Sequence, residues 1–164
     1  MSDITRVAQA MIHHEEDQRD RIAHFLKVTA YARLIALRET DDPALQELIE
    51  LAALTHDIGI RPSLEKYNSA AGPWQEKEGP PLAQAMLSEL GLPQDRISRI
   101  CWLIGHHHTL NPIDGLDHQI LIEADFLVNS DEGGLPLSAI TSFRDAYFRT
   151  ATGISLLNHL FKLN

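Results

Sequence analysis

Apolar residues recur at spacings of three and four along almost the whole chain, and no segment alternates as strands do, so the pattern predicts an all-α protein. One helix is expected from about Asp3 to Asp17 and a longer one from Arg19 to Arg38, with Phe25, Val28, Ala32 and Ile35 forming its inward stripe. Asp41-Asp42-Pro43 stops one helix and starts the next, because Asp caps free backbone N–H groups and Pro suits a first helical turn. The helix that follows carries Leu45, Leu48, Ile49, Ala52 and Ala53 and is expected to end near Gly59.

From Pro62 to Pro81 the periodicity breaks down amid Pro62, Gly72, Pro73, Gly79, Pro80 and Pro81, which predicts a long polar loop of the kind that serves as a lid. Trp74 within it is expected to pin the loop to the domain or to stack on a base. Helical spacing resumes over Leu82–Leu90, Pro93–His107 and Asp117–Asn129, then in two C-terminal pieces divided near Thr152-Gly153.

At 164 residues the chain can bury a continuous core as one domain. A net charge of −9 argues against binding a nucleic-acid polymer, which takes clustered Lys and Arg. The single cysteine, Cys101, lies in an apolar run and cannot pair within the chain, and no stretch reaches the roughly 18 apolar residues of a membrane span. A cytoplasmic protein that is neither exported nor membrane-embedded is expected.

The nine histidines change the picture more than the charge does, since imidazole is the commonest metal ligand. His56 follows Ala52 by one helical turn and Asp57 follows Ala53 likewise, so both side chains should point inward. A buried carboxylate costs several kcal/mol unless it is paired or binds a metal. An Asp that caps the turn and a core histidine are the plain alternative. His24 lies on the core side of its helix, and Asp125 interrupts the run from Ile120 to Val128, where Glu123 competes for the same role. His106-His107-His108 closes another helix; at most two of these rings can face one centre, and the triplet also suits a solvated helix end.

These residues resemble the HD-domain superfamily of metal-dependent phosphohydrolases, whose pattern is a helical His, a later His-Asp pair and a distant helical Asp. Here they read as His24 in Arg21-Ile22-Ala23-His24, His56-Asp57 in Leu54-Thr55-His56-Asp57-Ile58-Gly59, and Asp125 in Glu123-Ala124-Asp125. The resemblance implies a single compact helical bundle over residues 1–164, with a core of about 19–131 and C-terminal helices at 136–163 packed on it. It implies one divalent metal (Mn, Fe, Ni, Co, Zn or Mg) on His24, His56, Asp57 and Asp125, and hydrolysis of a small phosphate ester such as a nucleotide.

By the same resemblance Asp57 is both ligand and orienter of the attacking water. Arg61 supplies the cation that many members carry in a Gly-Lys after the His-Asp pair, where this chain has Gly59-Ile60-Arg61. Lys66 and His107 are further candidates to meet the phosphate. A second metal, held in some members, would fall to Glu78, His106 and His107. The rival readings are a di-iron oxygenase on the same fold and a non-catalytic module that binds metal or nucleotide. A monomer or a homodimer is expected, the last helix offering one exposed stripe.

Overall fold

The computed structural model describes residues 1–163, and among these it is all-helical. Nine α-helices are described: α1 (Asp3–Glu15), α2 (Arg19–Glu39), α3 (Pro43–Thr55), α4 (Ile60–Tyr67), α5 (Gly72–Glu89), α6 (Gln94–Ile104), α7 (Gly115–Glu132), α8 (Leu137–Tyr147) and α9 (Ala151–Phe161). Ser2 caps α1 by accepting from Thr5 N, and Asp42 caps α3 by accepting from Ala44 N and Leu45 N with Pro43 in the first turn.

The helix α3 is buried along most of its second half, which places it between two apolar cores. Ile49, Ala52 and Ala53 meet Val28, Ala32 and Ile35 of α2 and Ile120, Leu121 and Ala124 of α7, with Ile140 of α8 and Leu157 of α9 closing that side. Leu51 and Leu54 join Val7 and Met11 of α1, Leu87 of α5 and Ile97, Ile100 and Ile104 of α6 in the other. The small side chains of Ala52, Ala53, Ala32 and Ala124 let these central helices approach closely. The polar side chains at the end of α3 are thereby carried to the middle of the protein.

The stretch expected to be a loop is mostly helical: α4 and α5 leave only residues 68–71 between them. Pro62 falls in the first turn of α4 and Pro73 in that of α5, where a missing N–H removes no helical bond. Pro80 and Pro81 lie inside α5. They are tolerated because tertiary packing outweighs local preference there: the Pro80 carbonyl accepts from Cys101 Sγ at 3.4 Å. Trp74 stacks on Tyr67 with ring centroids 3.9 Å apart, clamping α5 against α4.

Three other boundaries shift. The helix α3 stops at Thr55, so Gly59 (φ −77°) is no helix-ending glycine but the N-cap of α4. Its requirement is space: a Cβ there would meet Gln75 O at 2.5 Å and Gly79 N at 2.9 Å, so α5 lies directly on the turn that carries His56 and Asp57. The helix α6 ends at Ile104, which leaves the three histidines in the turns beyond it. The C-terminal helices divide at Phe148–Thr150 rather than at Thr152-Gly153, because Thr150 caps α9 by accepting from Gly153 N at 2.9 Å.

Among the described residues no helix is long and apolar enough to cross a membrane.

Candidate metal centre

Four separate elements converge at the end of α3. His24 comes from the second turn of α2, His56 and Asp57 from the turn between α3 and α4, and Asp125 from the middle of α7. His24 Nε2 lies 3.4 Å from Asp57 Oδ2 and 3.2 Å from Asp125 Oδ1. His56 Nε2 lies 3.3 Å and 3.5 Å from the same two oxygens. His107, in the turn after α6, reaches the group from the other side, its Nε2 3.5 Å from Asp57 Oδ1.

Hydrogen bonds on the far side of each ring aim these nitrogens. His56 Nδ1 and His107 Nδ1 each stand 2.8 Å from a backbone carbonyl, those of Ala53 and Ile104. A carbonyl only accepts, so Nδ1 carries the proton and the neutral ring turns its Nε2 lone pair to the centre. His24 Nδ1 makes the equivalent bond to Glu132 Oε2 at 2.7 Å. The Nε2 atoms of His56 and His107 are buried without a hydrogen-bond partner, the condition that a bound cation removes. The donor set of imidazole and carboxylate is one that first-row divalent metals favour.

The electrostatics follow from the same geometry. Burial opposes protonation of His56, yet the carboxylates of Asp57 and Asp125 hold its pKa well above the ordinary histidine value. Burial likewise acts against the Asp57 carboxylate, and the neighbouring His56 and His107 rings hold its pKa well below the usual range. Asp125 is lowered too; its hydrogen bond with His24 and the adjacent His56 ring outweigh burial. For His24, burial is outweighed by Asp125, Asp57 and Glu132, and its pKa is raised.

Other expected participants lie elsewhere. Arg61 turns outward, donating to the His14 carbonyl at 2.8 Å and pairing with Glu65 at 3.2 Å. Lys66 pairs with Glu78, whose other oxygen accepts from Tyr67 Oη at 2.7 Å, so both are engaged on the α4–α5 face. His106 bonds the Trp102 carbonyl at 2.7 Å and stacks on that ring, away from the centre. His108 rather than His106 accompanies His107, and Asp57, His107 and His108 form a second grouping with ligand atoms within 4.8 Å of one another. Glu123, the competitor of Asp125, is buried on the opposite side, accepting from Gln119 Nε2, Arg149 N, Thr150 N and Thr150 Oγ1.

The centre opens into a cleft of about 300 Å³ lined also by Asp20, Arg21, Ile60, Gln75, Asn129 and Glu132. Asn129 donates to Asp125 Oδ1 at 2.9 Å, and Gln75 Oε1 stands 3.2 Å from His108 Nε2. Sequence reasoning missed these. Asp125, Asn129 and Glu132 share one face of α7, a spacing that was available to be read; nothing local marks Gln75.

Residues 21–141 match the HD domain family. The chain belongs to that family. Among solved structures it is similar to a predicted HD superfamily hydrolase from an uncultured Thermotogales bacterium, with a TM-score of 0.67 at 23% identity. The likeness covers 98% of this chain and 84% of that one. Comparison with curated proteins finds no match. The family supports a metal-dependent hydrolase, and the His/Asp groupings of this HD chain are suited to a divalent metal.

Proposed function

We propose that this HD protein is a phosphohydrolase acting on a small phosphate ester, nucleotides included, with one divalent cation held by His24, His56, Asp57 and Asp125. One observation carries the reading: two Nε2 atoms from different elements face the same pair of carboxylate oxygens at 3.2 to 3.5 Å, in the middle of the fold. A set of inward polar groups is costly unless it serves a cation.

When bound there, a divalent cation supplies Lewis acidity and lowers the pKa of its water to about 7 in favourable cases. The residues supply the rest. Asp57 directs Oδ2 toward His24 and His56 and Oδ1 toward His107, so Oδ1 is placed to accept a hydrogen bond from an attacking water and orient it. His107 stands beside that oxygen, its Nε2 3.5 Å away. Arg21 is the cleft's guanidinium, paired with Glu15 at 3.0 Å. Arg61 and Lys66 do not line the cleft, so charge neutralisation in the transition state falls to the cation and Arg21.

Asp57 belongs to both groupings, which favours a two-metal form of the same site as a second reading, the di-iron oxygenase among its versions. The decisive assay measures phosphate release from nucleoside monophosphates and sugar phosphates with added Mn. The wild type is expected to turn over at least one class and Asp57→Ala none. Equal rates would dispose of the hydrolase, and iron content with an oxygen-dependent absorbance change would establish the oxygenase.

A further inference from the structure

Glu15 is the last residue of α1 and is 2% exposed. An acid so far from water is costly unless a cation meets it. The chain reverses within residues 16–18, and Glu16 takes a φ of 49°, a left-handed value that residues other than glycine rarely adopt. This tight turn sets Glu15 against Arg21 in the first turn of α2, with Glu15 Oε2 3.0 Å from Arg21 Nη1. Burial pushes the Glu15 carboxyl up, and Arg21 is the strongest of the charges that pull it back.

Arg21 precedes His24 by one helical turn, on the same face of α2, and lines the cleft with His24 and Asp57. Histidines aside, the other charged side chains of that wall are the carboxylates of Asp20, Asp57, Asp125 and Glu132. A guanidinium on a flexible stem would settle on one of these acids and block the centre. Glu15 does not line the cleft and holds Arg21 from outside it. Their contact is one of charge: among the described residues neither Glu15 Oε2 nor Arg21 Nη1 has a hydrogen-bond partner. Among the same residues the Arg21 side chain makes no other ion pair or hydrogen bond. Its N–H groups therefore remain to be donated, and Nη1 is a buried donor of the kind that a bound anion satisfies.

We infer, resting on the phosphohydrolase reading, that Glu15 is a positioning residue: it holds the Arg21 guanidinium at the cleft wall, clear of the acids, where its free N–H groups bind the phosphate of the substrate. Glu15 acts only through Arg21.

Inorganic phosphate is the probe, so the test does not depend on turnover. Its dissociation constant is measured by calorimetry on the Mn-loaded full chain, beside the Mn affinity and the circular dichroism spectrum. Glu15→Gln keeps the shape of the side chain and removes its charge. It is expected to weaken phosphate about tenfold, the worth of one charge-assisted hydrogen bond, with Mn affinity within about twofold of the wild type. Arg21→Gln is expected to lose at least as much. Adding Glu15→Gln to Arg21→Gln should cost nothing further, because nothing is left to position. Glu15→Asp, shorter but still charged, is expected to fall between Glu15→Gln and the wild type, and it carries the same cycle if Glu15→Gln does not fold. This pattern in a protein that hydrolyses no ester keeps the Glu15 assignment and removes the hydrolase. Turnover that Asp57→Ala abolishes, with phosphate affinity indifferent to Glu15→Gln, keeps the hydrolase and overturns the assignment. Equal penalties from Glu15→Gln with and without Arg21 overturn it too, as does a wild type that binds no phosphate.

Discussion

His24 Nδ1 and Glu132 Oε2 lie 2.7 Å apart, although the residues sit at opposite ends of α2 and α7, the helices that carry His24 and Asp125. Glu132 is itself held by Lys27 at 3.0 Å. A carboxylate behind a ligating imidazole fixes its tautomer and its aim, and losing such a partner costs about 10–100-fold in metal affinity. Glu132→Ala is therefore expected to lose that much in a chelator-competition titration. Glu132→Gln should stay nearer the wild type, because an amide oxygen still accepts from Nδ1–H. Equal affinities in all three would remove Glu132 from the centre.

Metal binding should strengthen with pH. In the metal-free protein His24 and His56 have raised pKa values, so their protonated forms stabilise the fold below the unfolded value of about 6.5, and this is lost as pH rises through the folded values. Asp57 and Asp125 are lowered, so their contribution is present above about 3.9 and is lost as pH falls through the folded values. A cation needs the deprotonated imidazoles. The rise in melting temperature on adding Mn is thus expected to grow from pH 6 to pH 8, measured by thermal denaturation with and without metal. A constant or shrinking increment would argue that the histidines are not ligands.

Glu123 holds the C-terminal pair in place. Its carboxylate accepts from Arg149 N at 2.7 Å and Thr150 N at 3.0 Å, as well as from Thr150 Oγ1 and Gln119. Glu123→Ala leaves these buried donors without an acceptor and is expected to cost about 2–4 kcal/mol in urea denaturation. Gly153→Ala should destabilise by about 1–3 kcal/mol, since its Cβ would overlap Glu123 Oε2 and stand 2.7 Å from Thr150 Oγ1.

Gly59→Ala probes the approach of α5 to the site. A Cβ at 2.5 Å from Gln75 O must push backbone apart, and Gln75 lines the cleft. A loss of about 1–3 kcal/mol in stability is expected together with weaker metal binding. Gly91→Ala, at a glycine whose Cβ would meet nothing within 4 Å, is the control for crowding: at φ 75° it should show backbone strain alone and leave metal affinity unchanged.

The helical class, the cap at Asp42 and the inward faces of α2, α3 and α7 were legible in the chain, because periodicity and capping act over one or two turns. The burial of His24, His56 and Asp125 followed from the same spacing. The segment from Pro62 to Pro81 was misread for a physical reason: its glycines and prolines signal a loop locally, while packing against α6 and the Gly59 turn makes α4 and α5 helical. Contacts between residues far apart in sequence leave no local mark. The direction of Arg61, the pairing of Lys66 with Glu78, the choice of His108 over His106, and the bonds from Gln75 and Glu132 were settled by which helices meet.

By itself, then, the sequence determined which side chains must leave water and what chemistry they carry, since both depend on residue type and on a period of 3.6. Only the tertiary structure decided which of those groups share a centre and which are engaged elsewhere. Distances between elements are set by the packing of whole helices, where an alanine or a glycine on one face moves a polar side chain on another.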